Sequence, residues 1–156
     1  MAAPPIPNWQ AQILKGVNAP VTPANLEFLN AWARAEGGGA TNNPFNTTQP
    51  AGGATAYNSV GVRNYSTPQQ GIGATVQTLL NGRYGNIISA LQAGKDARAA
   101  AAALAASPWG TGALVQKILG GKSSPASSTA PPMPGPPPPS LPQANTGISP
   151  LAAAVL

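Results

Sequence analysis

The chain has 156 residues, with 3 acids against 8 basic side chains and a net charge of +5. It contains no cysteine and no histidine, which removes disulfides, thiol nucleophiles, the usual zinc sites and Ser–His triads together. Three scattered acids make a poor cage for calcium or magnesium, so neither a metal nor a cofactor is expected.

Residues 1–7 form a proline-containing arm without the basic start and apolar run of a secretory leader, so no signal peptide is expected. Asn8–Gly16 reads as a short capped helix with glycine as its stop. Thr22-Pro23 is an N-cap followed by proline in the first turn, and it launches a helix through Glu36. Leu26, Leu29, Trp32 and Ala33 make its apolar stripe. Residues 37–66 are rich in Gly, Asn, Thr and Pro, with β-prone pieces at Phe45–Thr48, Ala56–Tyr57 and Val62–Tyr65. They predict a small hairpin or three-stranded ribbon. Thr67-Pro68-Gln69-Gln70 is a capping box that opens a helix through Ile72, Val76, Leu79 and Leu80. Shorter helices follow at Asn86–Leu91, at Asp96–Ala106 with Asp96 as cap, and at Ala113–Leu119 behind Thr111. The expected fold is mainly α: about six short helices with one small β-hairpin after the second, in a domain spanning 8–121. Residues 122–150 carry more than half of the 19 prolines and read as a polyproline or disordered tail. An apolar peptide, 151–156, closes the chain.

The positive charges are spread singly along the domain. A basic surface suits an anionic polymer, but with no run of cations and no Arg-rich recognition helix a nucleic-acid partner is not expected. No apolar stretch reaches the ~20 residues of a membrane span.

Glu36 is the most informative residue. It ends a helix directly before Gly37-Gly38-Gly39 and shares a face with Leu29, Trp32 and Ala33. An apolar flank and the unpaired carbonyls of a helix C-terminus both oppose ionisation, which favours a general acid. An exposed helix-end Glu is the bland alternative. The adjoining glycines cap the helix, and their missing side chains also leave room for a ligand.

Four segments carry a resemblance to the lysozyme-like superfamily, in particular to peptidoglycan hydrolase domains of bacteriophages, glucosaminidase-type autolysins and lytic transglycosylases. They are Ala33-Arg34-Ala35-Glu36-Gly37-Gly38, Asn42-Asn43-Pro44-Phe45-Asn46-Thr47-Thr48, Gly61–Gly71 and Ser107-Pro108-Trp109-Gly110-Thr111-Gly112. The likeness covers about residues 9–121. It implies an α+β lysozyme-like fold with Glu36 as the acid that protonates a glycosidic oxygen. It also implies a hairpin wall along the saccharide groove, with Phe45, Asn46, Thr47, Tyr57 and Tyr65 as candidates to line it. Trp9, Trp32 and Trp109 read instead as core anchors. The implied partner is the glycan strand of peptidoglycan, and the proline-rich tail is a candidate contact for other phage tail proteins. The implied setting is a virion tail or the host wall.

Glycosidases usually pair two carboxylates, ~5–5.5 Å apart for retention and ~6.5–9.5 Å for inversion. Glu27 lies roughly 13 Å back along the helix, at ~1.5 Å per residue, and Asp96 reads as a cap. A single-acid mechanism of the lytic transglycosylase type therefore suits the chain best. Water attack and a non-catalytic glycan-binding tail module are the alternatives.

Overall fold

The computed structural model describes residues 7–120. The proline-rich stretch 122–150, the peptide 151–156 and all but Pro7 of the N-terminal arm lie outside the described residues. Among those described are six helices and one two-stranded antiparallel sheet, a mainly helical architecture compatible with an α+β fold.

Helix α1 (Trp9–Gly16) turns Ile13 and Leu14 into the core. Asn8 precedes it in the left-handed region, φ 54°, and makes no side-chain cap bond, so its role is to bend the entering chain. Helix α2 (Pro23–Glu36) begins as the sequence dictates. Thr22 is extended, its hydroxyl oxygen accepts from the Asn25 amide at 3.2 Å, and Pro23 occupies the first turn. The same hydroxyl donates to the Gly94 carbonyl at 2.8 Å. Asn25 is buried and its Nδ2 donates to the carbonyls of Pro20 and Leu91, both at 2.8 Å. One side chain thus fastens α2 to the preceding turn and to a later helix. Leu29 and Trp32 of the expected stripe are sealed, while Leu26 and Ala33 are only partly covered. Phe28 and Ala31 are buried as well, because α1, α5 and α6 all pack on α2. A helix enclosed on several sides hides more than one stripe.

Of the two forms expected for the β region, the small hairpin is present and, among the described residues, the third strand is not. Strand β1 (Thr55–Ala56) pairs with β2 (Arg63–Asn64) in the register Thr55–Asn64 and Ala56–Arg63. Residues 45–48 form no strand. Asn42 and Asn46 take positive φ, 54° and 51°, which coils the segment. A single backbone bond, from Arg63 N–H to the Thr47 carbonyl at 3.2 Å, links it to the hairpin.

Helix α3 (Pro68–Leu79) opens with Thr67 accepting from the Gln70 amide. Gln70 Oε1 in turn accepts from Ser66 N–H, one residue before the usual place in a capping box. Helix α4 (Gly85–Ala93) stops at left-handed Gly94. Helix α5 (Ala97–Ala105) is capped by Asp96, which accepts from the Arg98 amide at 2.8 Å. Helix α6 (Gly112–Gly120) packs on α5 so closely that a side chain at Gly112 would collide with the Ala105 backbone. No described helix is long and apolar enough to cross a membrane.

Gly71, in the first turn of α3, faces the Asn42 carbonyl oxygen, and a Cβ there would be driven into it. Gly73, two residues on, has open space. Gly71→Ala is expected to destabilise by about 1–3 kcal/mol through overpacking. Gly73→Ala is expected to stabilise by roughly 0.5–1 kcal/mol through helix propensity and lost unfolded-state entropy. Urea unfolding of the two variants checks the opposite signs.

Candidate functional site

Glu36 is the last residue of α2. Gly37 follows with φ 71° and returns its N–H to the Arg34 carbonyl, which ends the helix and leaves the carboxylate at its tip. The group is half-buried. Its surroundings are more polar than the apolar stripe implied. Oε1 accepts from Trp109 Nε1 at 2.8 Å, from the Thr111 hydroxyl at 2.8 Å and from Trp32 Nε1 at 3.2 Å. Asn46 Nδ2 donates to the Glu36 backbone carbonyl at 2.8 Å and reaches Oε2 at 3.5 Å. The carboxylate therefore has two unlike oxygens. Oε1 meets three donors, more than its two lone pairs can serve well, and an indole N–H cannot accept in return. Oε2 has one long contact and spare capacity.

Each donor is held by its own local structure. Trp32 lies one turn back on α2, fully buried against Phe28, Phe45 and Trp109. Trp109 belongs to the turn between α5 and α6. Ser107 donates to the Leu104 carbonyl at 2.6 Å and accepts from the Trp109 amide at 3.2 Å. Gly110, at φ 89°, then redirects the chain. Thr111 stands where Thr22 and Thr67 stand before their helices, but its hydroxyl turns to Glu36.

Asn46 is set by a buried network below it. Asn43 Nδ2 donates to the carbonyls of Thr47 and Arg63, and its Oδ1 accepts from the Thr47 amide and hydroxyl. The Thr47 hydroxyl lies 3.0 Å from that of Tyr65, which donates to the Gln49 carbonyl at 2.7 Å. Asn42 Nδ2 donates to the Tyr65 carbonyl. Asn46 Oδ1 is buried without a partner among the described residues.

The structure sorts the residues expected to line a saccharide wall. Phe45, Thr47 and Tyr65 are almost fully covered. Phe45 packs against Trp9 and Trp32, with ring centroids 5.4 and 4.7 Å away, so it belongs to the core. Thr47 and Tyr65 serve the network that supports Asn46. Only Asn46 reaches the carboxylate. Tyr57 is exposed on the hairpin, its hydroxyl close to Gly39. Of the three tryptophans, Trp32 is sealed while Trp9 and Trp109 are partly covered. Trp109 and Thr111 carry roles beyond the core packing and helix capping that the sequence suggested. The signal for them was the Ser107–Gly112 segment itself.

A shallow groove of about 190 Å³ is lined by Asn46, Thr47, Thr48, Thr78, Tyr84, Pro108 and Trp109. Two of these residues, Asn46 and Trp109, also bond Glu36. Gly37 and Gly38 are exposed, with nothing within 4 Å of where their side chains would stand. Among the described residues no three potential ligands gather to hold a metal ion. No family model matches the chain, and no curated protein or solved structure matches it.

Burial pushes the Tyr65 phenol above its ordinary value of 10.0, against smaller opposing effects of the Thr47 hydrogen bond and the Arg63 charge. In that range the unfolded chain loses the proton first, so the folded state binds more protons and stability falls as pH rises. The Tyr65 contribution is thus full below pH 10.0 and is lost as pH climbs from there through the folded-state value. Tyr65→Phe is expected to flatten this alkaline decline, read as melting temperature against pH in both proteins.

Proposed function

We propose that the chain is a glycosidase of the lysozyme-like type that cleaves the β-1,4 glycan strand of peptidoglycan, with Glu36 as general acid and then base. The observation that carries this reading is the asymmetry of the carboxylate. Three donors fix Oε1 and thereby orient the group, while Oε2 is left with the capacity to carry and release a proton. An acid so held is a positioned proton donor beside a groove, which is the geometric requirement of general acid catalysis.

One further observation supports it. The four segments that resemble phage peptidoglycan hydrolases meet here. The first supplies Glu36, the second Asn46, and the fourth Trp109 and Thr111. The third supplies Tyr65, beneath Asn46. No second carboxylate is nearby by sequence or role: Asp96 caps α5 and Glu27 sits earlier on α2. One acid serving both proton transfers suits a lytic transglycosylase, in which the sugar's own 6-hydroxyl attacks and an anhydro end results. Attack by water gives muramidase or glucosaminidase action on the same scaffold. The setting that goes with this reading is a phage virion that opens the host wall, or the wall itself after delivery.

The triple clasp on Oε1 also favours a second reading. A carboxylate that ties a helix end to a distant turn is a good structural cross-link, and a tail module that binds glycan without cutting it would keep one.

Glu36→Gln separates the two. Its amide oxygen can still accept from Trp32, Trp109 and Thr111, but the acidic proton is gone. Clearing of purified peptidoglycan is expected to fall by at least ~100-fold, with the melting temperature held to within a few degrees. Mass spectrometry of released fragments then tells anhydro ends from reducing ends. If the unaltered chain and Glu36→Gln bind walls equally and neither releases fragments, the cross-link reading replaces the enzyme.

A further inference from the structure

We infer that Asn81, in the turn between α3 and α4, is a self-modification site: its side-chain amide condenses with the Gly82 nitrogen, loses ammonia and ends as aspartate and isoaspartate. Asn81-Gly82 is the only Asn-Gly pair in the chain. A glycine nitrogen is the least hindered backbone nucleophile, since no Cβ stands beside it. The pair takes no part in the bonds around Glu36, so the reaction is independent of whether the chain cuts glycan.

The turn supplies access, activation and a free nucleophile. Asn81, Gly82 and Arg83 are all exposed, so water and hydroxide reach them. Nothing stands within 4 Å of where a Gly82 side chain would be, which leaves room for a five-membered ring. Asn81 Oδ1 accepts from the Arg83 N–H at 3.0 Å. This Asx turn wraps the side chain across the Gly82 peptide it has to meet. The same donor polarises the amide carbonyl and is aimed at the oxygen that turns negative when the carbon is attacked. Among the described residues the Gly82 N–H donates to no backbone carbonyl. No bond of the helical ladder therefore has to break before that nitrogen reacts.

Hydroxide removes the proton from the Gly82 nitrogen, which attacks Asn81 Cγ. The new C–N bond closes the ring, the Cγ–Nδ2 bond breaks, and the departing nitrogen takes a proton from water and leaves as ammonia. Water then opens the cyclic imide. Opening at Cγ gives aspartate. Opening at the α-carbonyl gives isoaspartate, whose main chain runs through the former side chain and is one methylene longer. One water is consumed and one ammonia released, with no change of oxidation state. Both products add a negative charge to a chain of net charge +5. Isoaspartate also re-routes the backbone just ahead of Tyr84, the residue before α4. The Tyr84 ring packs 5.1 Å from that of Trp109, and Trp109 Nε1 holds Glu36. Conversion at the surface is thereby passed to the helical packing.

The test is to age the full chain at mildly alkaline pH, with the urea-unfolded chain alongside, and to follow both by peptide mapping and mass spectrometry. A gain of about 1 Da on the peptide that contains Asn81, ahead of every other asparagine and matched by released ammonia, is expected. Enzymatic methylation of isoaspartate reads the second product. Because the Arg83 N–H activates the amide in the native turn, the folded chain is expected to convert no more than ~10-fold slower than the unfolded one. The aged chain is expected to melt at least ~2 °C below the fresh one. Asn81→Gln, which would have to close a slower six-membered ring, is expected to gain no mass there and to keep its melting temperature. Asn81→Ser, which keeps an oxygen for the Arg83 amide but has no amide to lose, makes the same comparison where the Gln variant does not fold. Conversion first at another asparagine, or more than ~10-fold slower in the folded chain, overturns the site. A converted chain that melts like the fresh one overturns the link to the helical packing. Fragment release from walls, measured on fresh protein, judges the glycosidase separately.

Discussion

The structure depends on one half-buried carboxylate and the four side chains that donate to it. Glu36 accepts from Trp32 on its own helix, from Trp109 and Thr111 in the turn before α6, and from Asn46 in the loop behind α2. In a partly dry site such hydrogen bonds are stronger than in water. The cluster therefore does for the helical core what a cross-link would, while leaving one oxygen uncommitted.

The scaffold beneath that cluster is arranged to fix the end of α2. Thr22 and Asn25 anchor the beginning of the helix to Gly94, Pro20 and Leu91. Phe28, Leu29 and Trp32 seal its middle. On the loop side, Asn46 takes a left-handed backbone that most residues avoid. The bonds of Asn43 to Thr47 and Arg63 over-determine the segment and hold it in that shape. The left-handed backbone at Asn46 is thus held by a buried polar network, which fixes where its side chain points.

Local rules make much of this legible in the sequence, and the failures have a common cause. Thr22-Pro23, Thr67-Pro68 and Asp96 announce their helices because capping is decided within four residues. Gly37 and Gly94 announce the stops for the same reason. The piece 45–48 misleads because β propensity describes fit to a pleated surface, whereas two asparagines at positive φ coil it. Phe28 escapes a single-stripe reading because α2 is enclosed on several sides. Tyr65 and Phe45 look available in a polar loop but are drawn inward by partners remote in sequence. Trp109 and Thr111 are the clearest case. They meet a residue 73 and 75 positions away, and no periodicity or cap encodes a contact at that range. Only the likeness of the Ser107–Gly112 segment to a known turn marked them.

That separation also sets an order in time. During synthesis the polypeptide emerges with Glu36 long before Trp109 and Thr111 exist, and only Trp32 and Asn46 are on hand to meet the carboxylate. Contacts between remote positions form late because the intervening chain must first be gathered. The constellation is thus completed only when the last described helix docks. A product terminated upstream of the α5–α6 turn would contain the acidic residue yet lack the arrangement that orients it, so maturity of the site and completeness of the helical assembly are one event.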